Sequence, residues 1–234
     1  MVRGIGTVVN VLAILGGTAV GLLLGSRLPE RLRVAVLQAV GLITVVIGVG
    51  EALTTRNVVF PLVALILGAA VGEALRIEDR LEGLGHAIRG RFERRRDDES
   101  RFVEGFVAAS LLFCIGPLTI LGSIRDGLGG PDHAQLLLVK SALDGVVSVA
   151  FASALGWGVG FSALPVVAIQ GTLTLLAGVA DRLLTDRMVV EMSATGGIMV
   201  IGIGLRLLDL KKVPVASFLP ALVLAPVGVA LFAR

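Results

Sequence analysis

VLAILGGTAVGLLLGSRLPERLRVAVLQAVGLITVVIGVGEAL (residues 11–53) and VVAIQGTLTLLAGVADRLLTDRMVVEMSATGGIMVIGIGLRL (166–207) are one pattern written twice, with about one gap between the copies. Each holds two long apolar blocks joined by a short connector in which RL recurs, and VIGVG (46–50) stands against VIGIG (200–204). The match continues as VGEAL (71–75) against VGVAL (227–231), and a weaker third copy begins at LILGAAVGEAL (65–75) and runs through RIEDRL. An apolar block of about twenty residues rises 1.5 Å per residue as a helix and crosses a hydrocarbon layer of roughly 30 Å. The repeated unit is therefore a set of membrane-spanning helices.

The rest of the chain agrees. Of 234 residues 55% are hydrophobic and 17% charged, whereas a soluble globule carries about a quarter charged residues. Eight spans are predicted, at about 5–25, 34–53, 58–75, 102–123, 135–156, 161–179, 188–208 and 214–232, or seven if a short or Gly/Pro-interrupted block is a half-helix. The predicted fold is an all-α polytopic bundle, one integral membrane domain over 1–234. It divides into repeat 1 (about 5–75), central spans (102–156), repeat 2 (about 161–232) and a polar connector (76–101). Five spans separate each span from its copy, and an odd offset turns the second copy over, as in the inverted repeats of secondary transporters.

Charge placement sets an orientation. On the eight-span reading one side holds fourteen Lys and Arg residues, among them Arg27, Arg31, Arg33, the 76–101 run, Arg206, Lys211 and Lys212, and the other holds six. The positive-inside rule then puts the connector in the cytoplasm and both termini outside. Leu75, Leu81, Leu84, Ile88 and Phe92 recur at helical spacing in that connector, which predicts an amphipathic helix lying on the inner surface. The arginines serve topology, and a nucleic-acid partner is not expected. The first apolar run is too long for a signal-peptide core and lacks an A-x-A site, so it reads as a retained span.

Enzyme signatures are missing: the phosphate loop, H-E-x-x-H, G-x-S-x-G and C-x-x-C patterns do not occur. His86 and His133 both fall in connectors, and Cys114 is the lone cysteine, so no disulfide within the chain, metal site, cofactor or catalytic set is expected.

Several residues stand out inside the spans. Gly17, Gly21 and Gly25, and again Gly68 and Gly72, fall four apart and leave a flat helix face for close packing. Lys140 and Asp144, four apart in LLLVKSALDGVVSVAFAS, share one face with Ser141 and Ser148 nearby. Each charge at mid-membrane costs roughly 2.5–3.5 kcal/mol, less when opposite charges pair. Such a pair suits ion or proton coupling, or a helix pinned by an internal salt bridge. Asn10 and Gln170 sit near corresponding places in the repeat, where two amides entering from opposite sides line a central cavity or bond helix to helix. GPLTILGSIRDGLGG (116–130) combines Pro117 with five glycines and a break, and Asp126 adds a carboxylate at its mouth. Glu51 and Arg206 correspond across the repeat but lie near span ends, where solvation is cheap.

The opening GTVVN, the first-span glycines, GPLTILGSIRDGL, KSALDG and AIQGTLTLL together resemble the bacterial membrane family called domain of unknown function 554, which includes YdfK- and YqgA-type proteins. The resemblance covers nearly the whole chain, with segments 116–127 and 140–145 its most specific parts, and implies a polytopic inner-membrane protein without a transferable activity. The functional expectation is a small secondary transporter or ion pathway lined by Asn10, Ser110, Thr119, Asp126, Lys140, Asp144 and Gln170. The alternative is a membrane scaffold that recruits a partner through the connector. Expected partners are the bilayer and an ion or small solute, and the glycine-rich bundle is compatible with a homodimer.

Overall fold

A computed structural model describes residues 3–92, 99–129 and 132–232. The arginine run over 93–98 and the glycine at 130 lie outside the described residues, as does the Phe92 side chain at the end of the predicted amphipathic stripe. In chain order the helices are α1 (Ile5–Gly25), α2 (Glu30–Ala52), α3 (Val59–Ala74), α4 (Ile77–Phe92), α5 (Glu99–Cys114) and α6 (Pro117–Leu128). They continue with α7 (Gln135–Leu155), α8 (Gly158–Phe161), α9 (Ala163–Leu175), α10 (Ala177–Leu183), α11 (Asp186–Leu207) and α12 (Ala221–Phe232), the last preceded by a 3-10 turn over Val215–Phe218.

Among the described residues six helical stretches are long and apolar enough to cross a bilayer. Two bent pairs, α3–α4 at 57° and α5–α6 at 60°, raise the number to eight if each is one span. Large apolar side chains such as Leu12, Leu23, Leu42, Val46, Leu62, Ile66 and Val146 face outward on these helices. Asn10, Thr119, Lys140, Asp144, Gln170 and Glu191 face inward. Apolar outside and polar inside is the arrangement lipid favours, and this chain is a multi-pass membrane protein.

Glycine decides which helices touch. Gly17, Gly21 and Gly25 of α1 meet Gly145, Val149 and Ser153 of α7 in step, so these two helices lie parallel with backbones nearly in contact. Gly41 and Gly48 of α2 meet Gly204 and Gly197 of α11 in the reverse order, so that pair is antiparallel. A Cβ on Gly48 would come within 2.7 Å of the Gly197 carbonyl. In α3, Gly68 meets Ala221 and Gly72 meets Ser217, again antiparallel to the chain leading into α12. Lipid tails provide no hydrophobic drive between helices, so close approach of small residues is what binds these pairs.

The fourth predicted span is one helix in sequence and two in structure. Gly116 takes φ 139°, a conformation that favours glycine, and Pro117 begins α6 at a position where its missing N–H costs little. The two halves still traverse the bundle. Phe102, near the start of α5, packs on Gly158 just beyond the end of α7, while Gly122 of α6 packs on Leu137 near the start of α7. The α5–α6 pair is thus a broken span antiparallel to α7. A second departure concerns α9, the counterpart of α1 expected from the sequence pattern. Where α1 is continuous, its counterpart is divided at Ser162 and Leu176 into α8, α9 and α10.

The connector helix α4 does not lie free on a surface. Ile77, Leu81 and Ile88 pack against the main core. Glu78 and Glu82 hold Arg206 at the end of α11 at 2.8 and 3.0 Å, and Glu78 also accepts from the Ala216 N–H.

Candidate functional site

Near the middle of α7, Lys140 Nζ donates to Asp144 Oδ2 at 2.6 Å, and Asn10 Nδ2 of α1 donates to the same oxygen at 3.0 Å. The helical spacing of four puts lysine and aspartate on one face, and the parallel packing of α1 on α7 brings Asn10 to them. Both charged side chains are more than nine-tenths buried, at 7% and 9% exposure. The Phe113 ring lies 5.9 Å from Lys140 Nζ, close enough for a cation–π attraction. Both donors use Oδ2, and among the described residues Oδ1 receives no hydrogen bond.

The break between α5 and α6 stands beside this pair. Proline at 117 removes the N–H that would have met the Phe113 carbonyl, and the Thr119 hydroxyl supplies that hydrogen bond at 3.1 Å. Ser123 then donates to the Thr119 carbonyl at 2.6 Å. A cavity of about 260 Å³ lies between the break and its neighbours. It is lined by Ile47 and Glu51 of α2, Phe113 and Thr119 at the break, Lys140, Leu143 and Asp144 of α7, and Gly197 and Val200 of α11.

A second set of buried polar atoms has no hydrogen-bond partner among the described residues: Asn10 Oδ1, both amide atoms of Gln170, and the hydroxyls of Thr7, Thr18, Ser110, Ser148 and Ser162. Gly4 faces Thr174 and Gly160 faces Thr18, so α1 and α8–α9 are antiparallel, and the register brings Gln170 opposite Thr7 and Asn10. An uncompensated amide in an apolar interior costs a few kcal/mol, which favours water or a solute between these groups.

Of the seven predicted pathway residues, Thr119, Lys140 and Asp144 line the cavity at the break, and Asn10 joins them through its hydrogen bond to Asp144. Ser110 and Gln170 are buried with unmet hydrogen-bonding capacity but do not line the cavity. Asp126 is elsewhere. It is fully buried at one end of the bundle, where Oδ2 accepts from the Gly6 N–H at 3.0 Å and Oδ1 meets His133 Nδ1 at 2.9 Å. The mouth carboxylate expected from the sequence is instead a cap on the N-terminus of α1, whose own N-cap, Gly4, has no side chain to offer. The predicted packing glycines of α1 and α3 lie at the close contacts with α7 and with the 217–221 segment.

Three residues enter that sequence reasoning passed over. Glu51 lines the cavity although it is one residue from the end of α2. His133 pairs with Asp126. Glu191, fully buried in α11, accepts from Thr55 Oγ1 at 2.5 Å and from the Arg56 and Asn57 N–H groups at 2.9 and 3.1 Å, tying down the α2–α3 connector. A carboxylate inside a predicted span was the available signal for Glu191. Among the described residues no group of three or more His, Cys, Asp or Glu side chains is placed to hold a metal ion.

Residues 5–230 match the family model described as protein of unknown function, DUF554. The chain belongs to the DUF554 family. Two DUF554-like relatives align along nearly their full length. The chain is 34% identical to the uncharacterized protein YqgA of Escherichia coli strain K12 over 226 residues, 94% of each chain. It is 30% identical to the uncharacterized membrane protein YdfK of Bacillus subtilis strain 168 over 227 residues, 95% of this chain and 94% of that one. No solved structure matches the chain.

Proposed function

We propose that this DUF554 protein is a small secondary transporter or ion pathway, with Lys140, Asp144 and Asn10 beside the α5–α6 break as its site. The observation that carries the reading is a charged pair at mid-span facing a 260 Å³ cavity at a broken helix. A pair that served only to pin α7 would be expected in a closed core, with each oxygen occupied. Broken spans near the bilayer midplane are where transporters place substrate and coupling ions, because the interruption frees backbone groups there.

Two further features support the reading. The pairs α2/α11 and α3/α12 each join a segment of the first repeat to its counterpart in the second, and each pair is antiparallel, as inverted repeats require. Gln170 and Asn10, one from each repeat, carry unmet hydrogen-bonding capacity at one level of the core. In this reading the arginine-rich end lies in the cytoplasm, the bilayer is the bacterial inner membrane, and the protein catalyses no covalent chemistry. The scaffold alternative is less favoured because Ile77, Leu81 and Ile88 of α4 are already packed on the core and its Glu78 and Glu82 are engaged by Arg206.

Purified protein in sealed liposomes, screened with inorganic cations, anions and small organic ions, tests the reading. Flux that disappears in a Lys140→Met/Asp144→Asn double variant is the expected result. Wild-type protein that moves nothing, or flux indifferent to the double change, rejects it.

A further inference from the structure

Among the described residues, Glu51 differs from the three buried carboxylates of the bundle. Asp126 is held by a backbone N–H and His133, Glu191 by three donors, and Asp144 by Lys140 and Asn10. Among the described residues, no basic side chain or hydrogen-bond donor meets the Glu51 carboxylate. It projects into the same cavity as the Lys140–Asp144 pair, and these are the three ionisable groups of the lining. The pair is self-neutralising, so with Glu51 ionised the cavity carries one uncompensated negative charge.

The walls narrow the choice of counter-charge. Apart from the three charged residues and Thr119, whose hydroxyl proton is spent on the Phe113 carbonyl, the cavity is built from apolar side chains and glycine, among them Ile47, Phe113, Leu143 and Val200. An inorganic cation gives up strongly bound water on entering and needs a shell of oxygens in return, which these walls do not provide. An ammonium on a short apolar body fits both requirements, placing charge on Glu51 and hydrocarbon on the aliphatic walls, with the Phe113 face nearby. A volume of about 260 Å³ corresponds to roughly nine waters at about 30 Å³ each, or a ligand with no more than a similar number of heavy atoms.

We propose that this cavity is a binding site for a small organic cation, a protonated amine with an apolar body of a few carbons, and that Glu51 is its charge partner. The inference rests on the pathway reading for transport, but binding itself does not depend on it. Asp144, kept from Glu51's role by Lys140, offers its second oxygen to the same ammonium.

The test uses the full chain with butylammonium as probe, and butyrate, Na⁺ and K⁺ as comparators of charge and chemistry. Ligand-dependent thermal stabilisation is measured in detergent, and flux in liposomes. Butylammonium is expected to stabilise the wild type and butyrate to leave it unchanged. Glu51→Gln is expected to weaken the butylammonium effect about tenfold or more, because a charge-assisted contact is lost. Glu51→Asp, which keeps the charge, should retain part of it even if the glutamine variant folds poorly. Stabilisation by butyrate alone, or butylammonium binding unaltered in Glu51→Gln, overturns the proposal. Flux of Na⁺ or K⁺ with no butylammonium binding also overturns it while leaving a pathway in place. Butylammonium binding without flux of any ion supports the site and rejects the pathway.

Discussion

Two regions of this bundle bury carboxylates in opposite ways. At the end where α1 begins, Asp126 has both oxygens occupied, and at the same end Glu191 gathers three donors from the α2–α3 connector. Around the cavity, Asp144 receives two donors on one oxygen and Glu51, among the described residues, receives none. The first region is built like a set of staples, each binding distant segments and leaving no capacity over. The second keeps capacity in reserve, and a buried polar group with capacity in reserve is costly unless something comes to use it.

If that contrast is real, the two regions should fail differently. The largest loss of stability is expected from Asp126→Ala and Glu191→Ala. Each leaves buried donors unmet and unties segments more than a hundred residues apart, a cost of about 3 kcal/mol or more, read as a fall in the unfolding midpoint in detergent. Replacing Asp144 alone by Asn leaves Lys140 as an unpaired buried charge, with a loss of about 3 kcal/mol. Adding Lys140→Met should restore most of that stability while flux stays absent, which separates the pair's role in folding from its role in transport. Glu51→Gln should change stability by less than about 0.5 kcal/mol, because no protein group depends on its charge, yet it should alter ion selectivity. Deleting residues 93–98 is expected to have the smallest effect, leaving flux unchanged, whereas a scaffold working through the connector would lose its function.

Much of the frame was legible because membrane helices announce themselves by length. The boundaries predicted for α1, α7 and α11 fall within about two residues of those observed, and the spacing of Lys140 and Asp144 already implied one shared face. Gly116 and Pro117 signalled an irregularity, but not that α5 and α6 would be bent by 60° and still cross the bundle. Partner choice was not legible. The glycine stripes of α1, α2 and α3 look alike in sequence, and which of them meets α7, α11 or α12 depends on backbone shapes distant in the chain. For the same reason Glu51 read as a solvated end residue. It enters the cavity because Gly48 and Gly197 let α2 and α11 approach until Glu51 Cβ lies 2.7 Å from where a Cβ on Gly197 would be. Asp126 looks from sequence like a carboxylate at the mouth of the break because nothing local reveals that the N-terminus of α1, 120 residues earlier, needs its oxygen.

Access to the cavity is the property on which the transport reading turns. Leu118 is half-buried in the cavity lining, and Leu111 is buried in the packed core one turn before the break. In a Cys114→Ser background, Leu118→Cys and Leu111→Cys can be compared for their rate of reaction with a charged, water-soluble thiol reagent, which needs a hydrated thiolate to react. Rapid labelling at 118 with protection at 111, and slowing at 118 when butylammonium is added, is the predicted result. Equal protection at both positions in sealed vesicles, with reagent supplied to either side, would contradict it and leave the Lys140–Asp144 pair as one more staple.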